Sequence, residues 1–217
     1  ASVQKVIEIA VLCMTKHLAQ ETGMKNLCLA GGVALNCVAN GHILRDSQFD
    51  NIWIQPAAGD AGGALGAAFM AYHGYAKQTR EHQGSGDKMQ GSYLGPQFSQ
   101  PDIESILKKS GAIFTSLSQD DLINHTATAL ASGKAVGWFQ GRMEFGPRAL
   151  GGRSILADPR STRMQKTLNL KVKYRESFRP FAPSVLFEHV NEWFELESES
   201  PYMLLVADVH KGHQIQM

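Results

Sequence analysis

Two short apolar segments of the chain are each followed by a glycine-rich turn and then by a pattern of helical periodicity. NLCLAGG at residues 26–32 leads into VALNCVANGHILRD at 33–46. NIWIQP at 51–56 leads into AAGDAGGALGAAFMAYHGY at 57–75. An amphipathic pattern over residues 2–23 precedes both, so the predicted order is helix, strand, helix, strand, helix. That order is typical of α/β architecture, and we expect an α/β fold.

The two glycine turns lie where a strand passes into a helix, a common position for phosphate binding. Glycine lets backbone amides approach a ligand closely, and a helix N-terminus carries about half a positive charge. Neither turn matches the dinucleotide-binding or P-loop pattern. Spacing alone leaves two interpretations open: binding of phosphate or ribose, and close packing of helix on sheet. Asp60 in the second turn is equally open, since its carboxylate suits a metal ion, a ribose hydroxyl or a helix N-cap.

The second half of the chain repeats the alternation of strand and helix patterns after an irregular stretch. Residues 76–91 have no periodicity and contain GSG, which is typical of a linker. Beyond them the patterns predict a helix, a strand, a helix, a buried strand and a basic helix, at 101–111, 112–117, 119–133, 135–140 and near 161–171. We expect two domains, residues 1–80 and 92–217, with a linker at 81–91.

The basic residues are concentrated in one part of a chain whose formal net charge is only +1. Residues 142–179 contain ten Lys or Arg and three acidic residues, so this stretch carries +7. Local positive charge on a nearly neutral protein favours a small anionic ligand over a nucleic acid duplex. For the basic residues of the predicted helix near 161–171, a solvated basic face is the simpler interpretation.

The strongest candidate for anion binding is the loop GRMEFGPRALGGRS at residues 141–154. Its arginines, Arg142, Arg148 and Arg153, are interleaved with glycine and apolar residues, which predicts a partly buried loop. Unpaired charge is costly there, and guanidinium groups bind phosphate or carboxylate through paired hydrogen bonds. We therefore expect these arginines to bind an anion. A second basic set follows in KVKYRESFRPFAP: Lys171, Lys173, Arg175 and Arg179.

The cysteines and the hydropathy pattern argue against a secreted or membrane protein. Cys13, Cys28 and Cys37 are an odd number without metal-ligand spacing, so we expect reduced, buried thiols. No apolar run reaches the roughly 18 residues of a membrane span, and no segment has signal-peptide character. We expect a cytoplasmic protein with no membrane partner. The large aromatic side chains of the second half are assigned to the core: Trp138, Phe139 and Trp193.

Several longer motifs resemble one enzyme family. GRMEFGPRALGGRSILADPR at 141–160 and LNLKVKYRESFRPFAPSV at 168–185 resemble the signature of the NodU-type O-carbamoyltransferases. GGVALNCVANGHIL and QPAAGDAGGALGAA resemble the upstream segment of the same family. For residues 1–80 the resemblance implies the C-terminal part of an actin-like ATPase-fold domain that transfers carbamoyl groups. For residues 92–217 it implies a YrdC-like α/β domain for carbamoyl adenylation, truncated at its C-terminus.

The resemblance also implies an activity and residues for it. Carbamoyl phosphate and ATP, with Mg²⁺, would form carbamoyl-AMP, and the carbamoyl group would pass to the hydroxyl of a small-molecule acceptor with iron assisting. Implied catalytic residues are Lys173, Arg175 and Arg148. Implied ligands of carbamoyl phosphate and ATP are Arg142, Arg148, Arg153, Lys173, Arg175 and Arg179. Nucleotide contacts in the first domain are expected at Gly31, Gly32, Asn36, Gly59, Gly62 and Gly63, with Asp60 binding the metal.

The match departs from the family pattern at the iron site, and two other functions stay open. The family also uses a His-x-x-x-His pair for iron, which does not occur here, so we interpret the chain as a fragment that lacks carbamoyl transfer by itself. Its exposed apolar surface leaves homo-oligomerisation open. The alternatives are a YrdC-like RNA-binding or tRNA-modification module, which the missing interleaved aromatics disfavour, and a non-catalytic phosphate-binding regulatory domain.

Overall fold

The computed structural model describes residues 2–46, 48–81, 84 and 86–214, and it confirms a mixed α/β fold. The described residues pack into two compact units. The first contains residues 2–92, Phe145–Arg148 and Leu186–Gln214, and the second contains Tyr93–Glu144 and Ala149–Val185. The units are therefore interleaved along the chain. The division into residues 1–80 and 92–217 stays a prediction, and the segments Phe145–Arg148 and Leu186–Gln214 pack with the first unit.

The first unit is built on one pair of parallel strands. Strands β1 (Asn26–Leu29) and β2 (Asn51–Ile54) run in register, with Cys28 opposite Trp53. The helices of this unit are α1 (Ser2–Thr22), α2 (Cys37–Arg45), α3 (Asp60–Phe69) and, late in the chain, α7 (Val190–Trp193). Shorter turns of 3₁₀-helix lie at Gly32–Leu35, Gln90–Ser92, Phe187–His189 and Lys211–His213, and a π-helical turn at Met70–Tyr75 extends α3.

The core of the first unit holds the two strands against α1, α2 and a non-helical segment around Leu204. One buried cluster contains Leu27, Ile43 and Phe49, and partly buried residues of α1 pack on it. Asn40 lies on α2 and is only 2% exposed. Its side-chain amide donates hydrogen bonds to the carbonyl oxygens of Ala34 at 2.8 Å and Leu204 at 3.0 Å. This amide therefore fixes the segment around Leu204 to the strand–helix layer.

The predicted helix over 33–46 begins later in the structure. Residues Gly32–Leu35 form one 3₁₀ turn, and α2 starts at Cys37. The side chain of Asn36 accepts a hydrogen bond from the amide of Ala39 at 3.1 Å. An N-cap of this type satisfies an amide that the helix leaves unpaired, so the cap sets the start of the helix.

The second unit combines two capped helices with one antiparallel strand pair. Its elements are α4 (Gln100–Lys109), α5 (Gln119–Ala131), β3 (Val136–Phe139), β4 (Arg153–Leu156) and α6 (Met164–Thr167), which a π-helical turn at Leu168–Val172 extends. Ser99 and Asp102 form a capping box at the start of α4, and Ser118 caps α5. Strands β3 and β4 pair antiparallel and frame the arginine-rich loop.

Three expectations about strands and burial are wrong. Residues 112–117 form no strand, and Ile113 is fully exposed, because no strand pairs with this segment. Phe139 and Trp193 are exposed rather than in the core, at 58% and 41%. The thiols of Cys13 and Cys28 are free but exposed, and Cys37 is half-buried. Within the described residues, no helix has the length and apolarity that a membrane span requires.

Candidate functional site

Both glycine turns line the same cleft in the first unit. The parallel pairing of β1 and β2 places the carboxyl ends of both strands at one edge, where open α/β sheets bind their ligands. The cleft has a volume of about 470 Å³. Its lining comprises Ala30, Gly31, Gly32, Trp53, Gln55, Ala58, Gly59, Asp60, Gly62 and Gly63. The structure thus brings together five of the six residues that the sequence assigns to nucleotide binding.

The five glycines of the cleft differ in what surrounds them. Gly31 has a φ of +90°, which favours glycine, and a Cβ built on Gly31, Gly32 or Gly63 meets nothing within 4 Å. At Gly59 a Cβ would only touch Leu35, at 4.0 Å. A Cβ on Gly62 would collide with the backbone carbonyl of Ala57. Gly62 is therefore explained by packing, whereas Gly31, Gly32 and Gly63 leave space at the cleft for a ligand.

Asp60 lines this cleft, and the described residues supply no partner for its carboxylate. Gly59 is the N-cap of α3, so the interpretation of Asp60 as a helix cap is wrong. Among the described residues, no hydrogen bond or ion pair involves the Asp60 side chain, which is exposed. No group of three His, Cys, Asp or Glu side chains that could hold a metal ion occurs anywhere in the described residues. Asp60 can supply one oxygen ligand, and further ligands would have to come from elsewhere.

Asn36 takes part in a polar network between α1 and α2. Besides capping α2, its amide donates to Gln4 Oε1 at 3.0 Å, and Gln4 Nε2 lies 3.2 Å from Asn36 Oδ1. Gln4 also donates to the buried carboxylate of Glu8 at 2.9 Å, and this hydrogen bond, more than the charge of His42, lowers the pKa of Glu8. These contacts account for Asn36 without a ligand, so its role toward a nucleotide stays a prediction.

Arg148 belongs to the first unit. Its terminal Nη2 donates to the carbonyl oxygen of Leu35 at 2.8 Å, next to the first glycine turn. The neighbouring Gly146, with a φ of +131°, lies against Ala57 of the second turn. Within the described residues, the buried Nε of Arg148 has no hydrogen-bond partner. A buried donor without a partner is costly, and an anionic oxygen would satisfy it.

In the second unit, Arg142 and Arg153 bind backbone carbonyl oxygens of the same unit. Arg142 donates to Gly95 O at 3.0 Å. Arg153 donates to Gln140 O and Gly141 O, both at 3.2 Å, and its guanidinium stacks on the ring of Phe139. These contacts hold the loop closed, so both arginines have a structural role whether or not they also bind an anion.

Glu144 organises the same loop, which the sequence does not reveal. Its carboxylate is 6% exposed and accepts hydrogen bonds from the amides of Leu150 at 2.6 Å, Gly152 at 2.8 Å and Arg153 at 3.3 Å. Burial raises the pKa of Glu144, but the backbone hydrogen bonds outweigh it and the net pKa is lowered. A Cβ on Gly152 would lie 2.7 Å from the carbonyl oxygen of Arg142 and 3.1 Å from the Glu144 carboxylate, so the loop requires glycine at this position.

The KVKYRE stretch forms a tight turn after α6. Lys173 ends the π-helical turn and is exposed, and Tyr174 follows with a φ of +49°. Arg175 is half-buried, and Arg179 is paired with Glu176 at 2.8 Å. The turn closes on Asn169, which is fully buried and was not singled out from the sequence. No local pattern marks Asn169, because its partners lie six to ten residues further along the chain.

Comparisons with known proteins agree with the motifs. A family model described as "Carbamoyltransferase N-terminus" matches residues 1–69, and one described as "Carbamoyltransferase C-terminus" matches residues 127–217. An uncharacterized protein of Synechocystis sp. is 59% identical over 97% of this chain and 34% of its own length. Nodulation protein NolNO of Sinorhizobium fredii is 44% identical over 98% of this chain and 31% of its own length.

A further relative covers a similar share of this chain. Nodulation protein NolO of Bradyrhizobium diazoefficiens is 41% identical over 98% of this chain and 38% of its own length. The chain thus spans about a third of the length of the curated relatives it matches. Both family models and these relatives lead to one assignment. The chain belongs to the NodU-type carbamoyltransferase family.

Proposed function

We propose that this chain is part of a cytoplasmic, ATP-dependent O-carbamoyltransferase. Carbamoyl phosphate, ATP and water would give carbamoyl-AMP, phosphate and pyrophosphate. Attack by an acceptor hydroxyl on the carbamoyl carbon would then give the carbamate ester and AMP. In this proposal residues 1–80 derive from an actin-like domain and residues 92–217 from a YrdC-like domain. Family membership supports the transfer of a carbamoyl group. The N–H of Arg148 that is unsatisfied among the described residues and the exposed ammonium of Lys173 support an anionic donor.

The observation that carries the proposal is the position of Arg148. Its guanidinium lies beside the glycine turns with one buried N–H unsatisfied among the described residues. The open backbone at Gly31, Gly32 and Gly63 leaves room there for a nucleotide. Fixed guanidinium groups and backbone amides stabilise charge that moves between phosphate oxygens without having to reorganise. Arg148 would therefore hold a phosphate of the nucleotide at this cleft.

The basic turn of the second unit would bind the phosphates of the donor reaction. Lys173 is exposed and can reach a ligand as a flexible point charge, whereas Arg175 offers a planar fork. Arg142, Arg153 and Arg179 already bind protein oxygens, so we assign them the secondary task of raising the local positive potential. Little acid–base chemistry is required of these residues, because phosphoryl-type transfers depend mainly on positioning and charge stabilisation.

Iron does not fit the described residues by themselves. Asp60 offers one carboxylate, and the described part of the chain holds no cluster of three candidate ligands. We therefore derive no step from iron. Mg²⁺ would enter with ATP, and Asp60 at the mouth of the cleft is the group that could contact it.

Titration calorimetry with carbamoyl phosphate and with ATP tests this function. We expect Arg148→Ala and Lys173→Ala each to weaken binding of at least one of these ligands by about tenfold or more, since hydrogen bonds to charged groups are lost. Arg160→Ala is the matched control, because Arg160 is paired with Asp158 at 2.7 Å and should not contact the ligand.

The outcomes also separate the alternatives. Unchanged affinity in both variants would contradict the proposal. RNA binding that falls steeply with salt, without carbamoyl phosphate binding, would favour the RNA-binding module. Binding without exchange of pyrophosphate into ATP would favour a regulatory domain.

A further inference from the structure

The side chain of Asn169 connects the predicted ligand Arg175 to the backbone of its own turn. Asn169 is 0% exposed. Its Oδ1 accepts a hydrogen bond from Arg175 Nε at 2.6 Å. Its Nδ2 donates to the carbonyl oxygens of Ser177 at 3.1 Å and Arg179 at 2.8 Å. This amide has one available orientation. Exchanging its oxygen and nitrogen would place the oxygen against two carbonyl oxygens and the NH₂ group against the N–H of Arg175.

These contacts restrict Arg175 on two sides. Asn169 holds the Nε edge of the guanidinium, and the ring of Phe181 lies 4.9 Å from the guanidinium carbon. The amide of Arg175 donates to Asn169 O at 3.0 Å, which fixes the backbone as well. Within the described residues, the two terminal nitrogens make no hydrogen bond. When Nε is already bonded, the two terminal NH₂ groups still form the end edge of the guanidinium. This edge can donate two parallel hydrogen bonds to two oxygens of one anion.

We propose that Asn169 is a positioning residue that orients Arg175 to bind a phosphate group of the donor substrate. This inference rests on the proposed function, since it deepens the role of Arg175 in it. Preorganisation of this kind reduces the side-chain entropy that a flexible arginine loses on binding. The predicted loss of affinity on removing Asn169 therefore acts through Arg175 and not through direct contact with the ligand.

The chain supplies a matched control at Gln165. Its amide donates to the carbonyl oxygens of Phe178 at 3.3 Å and Arg179 at 3.1 Å, so it shares a backbone acceptor with Asn169. Gln165 makes no contact with the Arg175 guanidinium among the described residues. Gln165→Ala should therefore weaken the packing of the turn without affecting the orientation of Arg175. Asn169→Ala should loosen it and also release Arg175.

Two measurements on the 217-residue chain test the inference. The first is ¹⁵N NMR of the arginine Nε–H groups without ligand. We expect slow solvent exchange for Arg175 in the wild type and in Gln165→Ala, and fast exchange in Asn169→Ala. Fast exchange in the wild type overturns the inference, and this result does not depend on any ligand. If Asn169→Ala does not fold, Asn169→Asp replaces it: the acceptor for Arg175 is kept, so protection should persist.

The second measurement is titration with carbamoyl phosphate in a double-mutant cycle. We expect Asn169→Ala to weaken binding about tenfold, Gln165→Ala less than threefold, and Asn169→Ala to have no further effect in an Arg175→Ala background. An equal loss in Gln165→Ala, or additive losses of Asn169 and Arg175, contradicts the positioning role. Undiminished binding by Arg175→Ala, or no binding by the wild type, contradicts the function assigned to the turn. In that case the NMR measurement still tests whether Asn169 orients Arg175.

Discussion

Replacing Gly62 by alanine is expected to destabilise the first unit by about 3 kcal/mol or more, the largest effect of any single methyl group added at the cleft. The first turn of α3 approaches the carbonyl of Ala57 so closely that a Cβ on Gly62 overlaps this oxygen. The obstacle is backbone rather than a flexible side chain, so the helix or the turn before it must move. Circular dichroism during urea unfolding measures the loss of stability.

The adjacent Gly63 provides the control, because the same substitution there should raise the free energy of unfolding instead of lowering it. A Cβ there meets nothing within 4 Å, and Gly63 lies inside α3 with ordinary helical φ. Gly63→Ala should therefore stabilise the helix by about 0.5–1 kcal/mol, as alanine does in helices generally. Equal stability of the two variants would contradict the close approach of α3 to Ala57. Because Gly63 also lines the cleft, its variant should keep the fold and lose part of any nucleotide affinity.

The helices and strands that the sequence predicted correctly have local signals. Ser99 with Asp102, and Ser118 before α5, are caps that can be recognised from neighbouring residues alone. The glycine turns after β1 and β2 were likewise predicted from strand–glycine–helix order. Their meeting in one cleft depends on the parallel pairing of the strands, which the order of elements favours. Local chemistry therefore predicted most of the first unit up to the end of α3.

The errors arise where tertiary context decides. Residues 112–117 have the composition of a strand, yet no strand pairs with them and the segment is irregular and exposed. Phe139 was assigned to the core by its size, whereas its ring supports the guanidinium of Arg153 instead. Arg148 donates to the carbonyl oxygen of Leu35, 113 residues earlier in the chain, a contact that no local pattern predicts. Long-range contacts decide all of these features.

The two residues that sequence reasoning missed share one property. Glu144 and Asn169 are buried polar side chains whose partners are mostly backbone groups. An acidic residue among three arginines suggests an ion pair, and Glu144 is such a residue. Its actual partners are amides, which carry no signature in the sequence. Gly152 was the available signal, since a glycine there lets the loop backbone approach the carboxylate.

Replacing Glu144 by alanine should destabilise the second unit by about 3 kcal/mol. The carboxylate is buried and accepts from three backbone amides, and its removal leaves these donors without a partner. The loop that carries Arg142 and Arg153 should then lose its conformation even if the rest of the unit stays folded. Hydrogen exchange of the amides of Leu150 and Gly152 measures this directly. Continued protection of both amides in Glu144→Ala would contradict the role assigned to the carboxylate.

The pH dependence of stability gives an independent test of Glu144. Its pKa is lowered in the folded chain, so its contribution is fully present above the ordinary glutamate pKa of about 4.3 and is lost as pH falls through the folded value. In Glu144→Gln this contribution should be absent, because the amide does not titrate. Other carboxylates have lowered pKa values as well, including Asp158 with a pKa of about 2. They occur in both proteins, so their contributions cancel when the two unfolding free energies are subtracted. The difference in unfolding free energy between wild type and Glu144→Gln should therefore be constant above about pH 5 and shrink below it. Parallel curves down to pH 3 would mean that Glu144 is not held as a buried carboxylate.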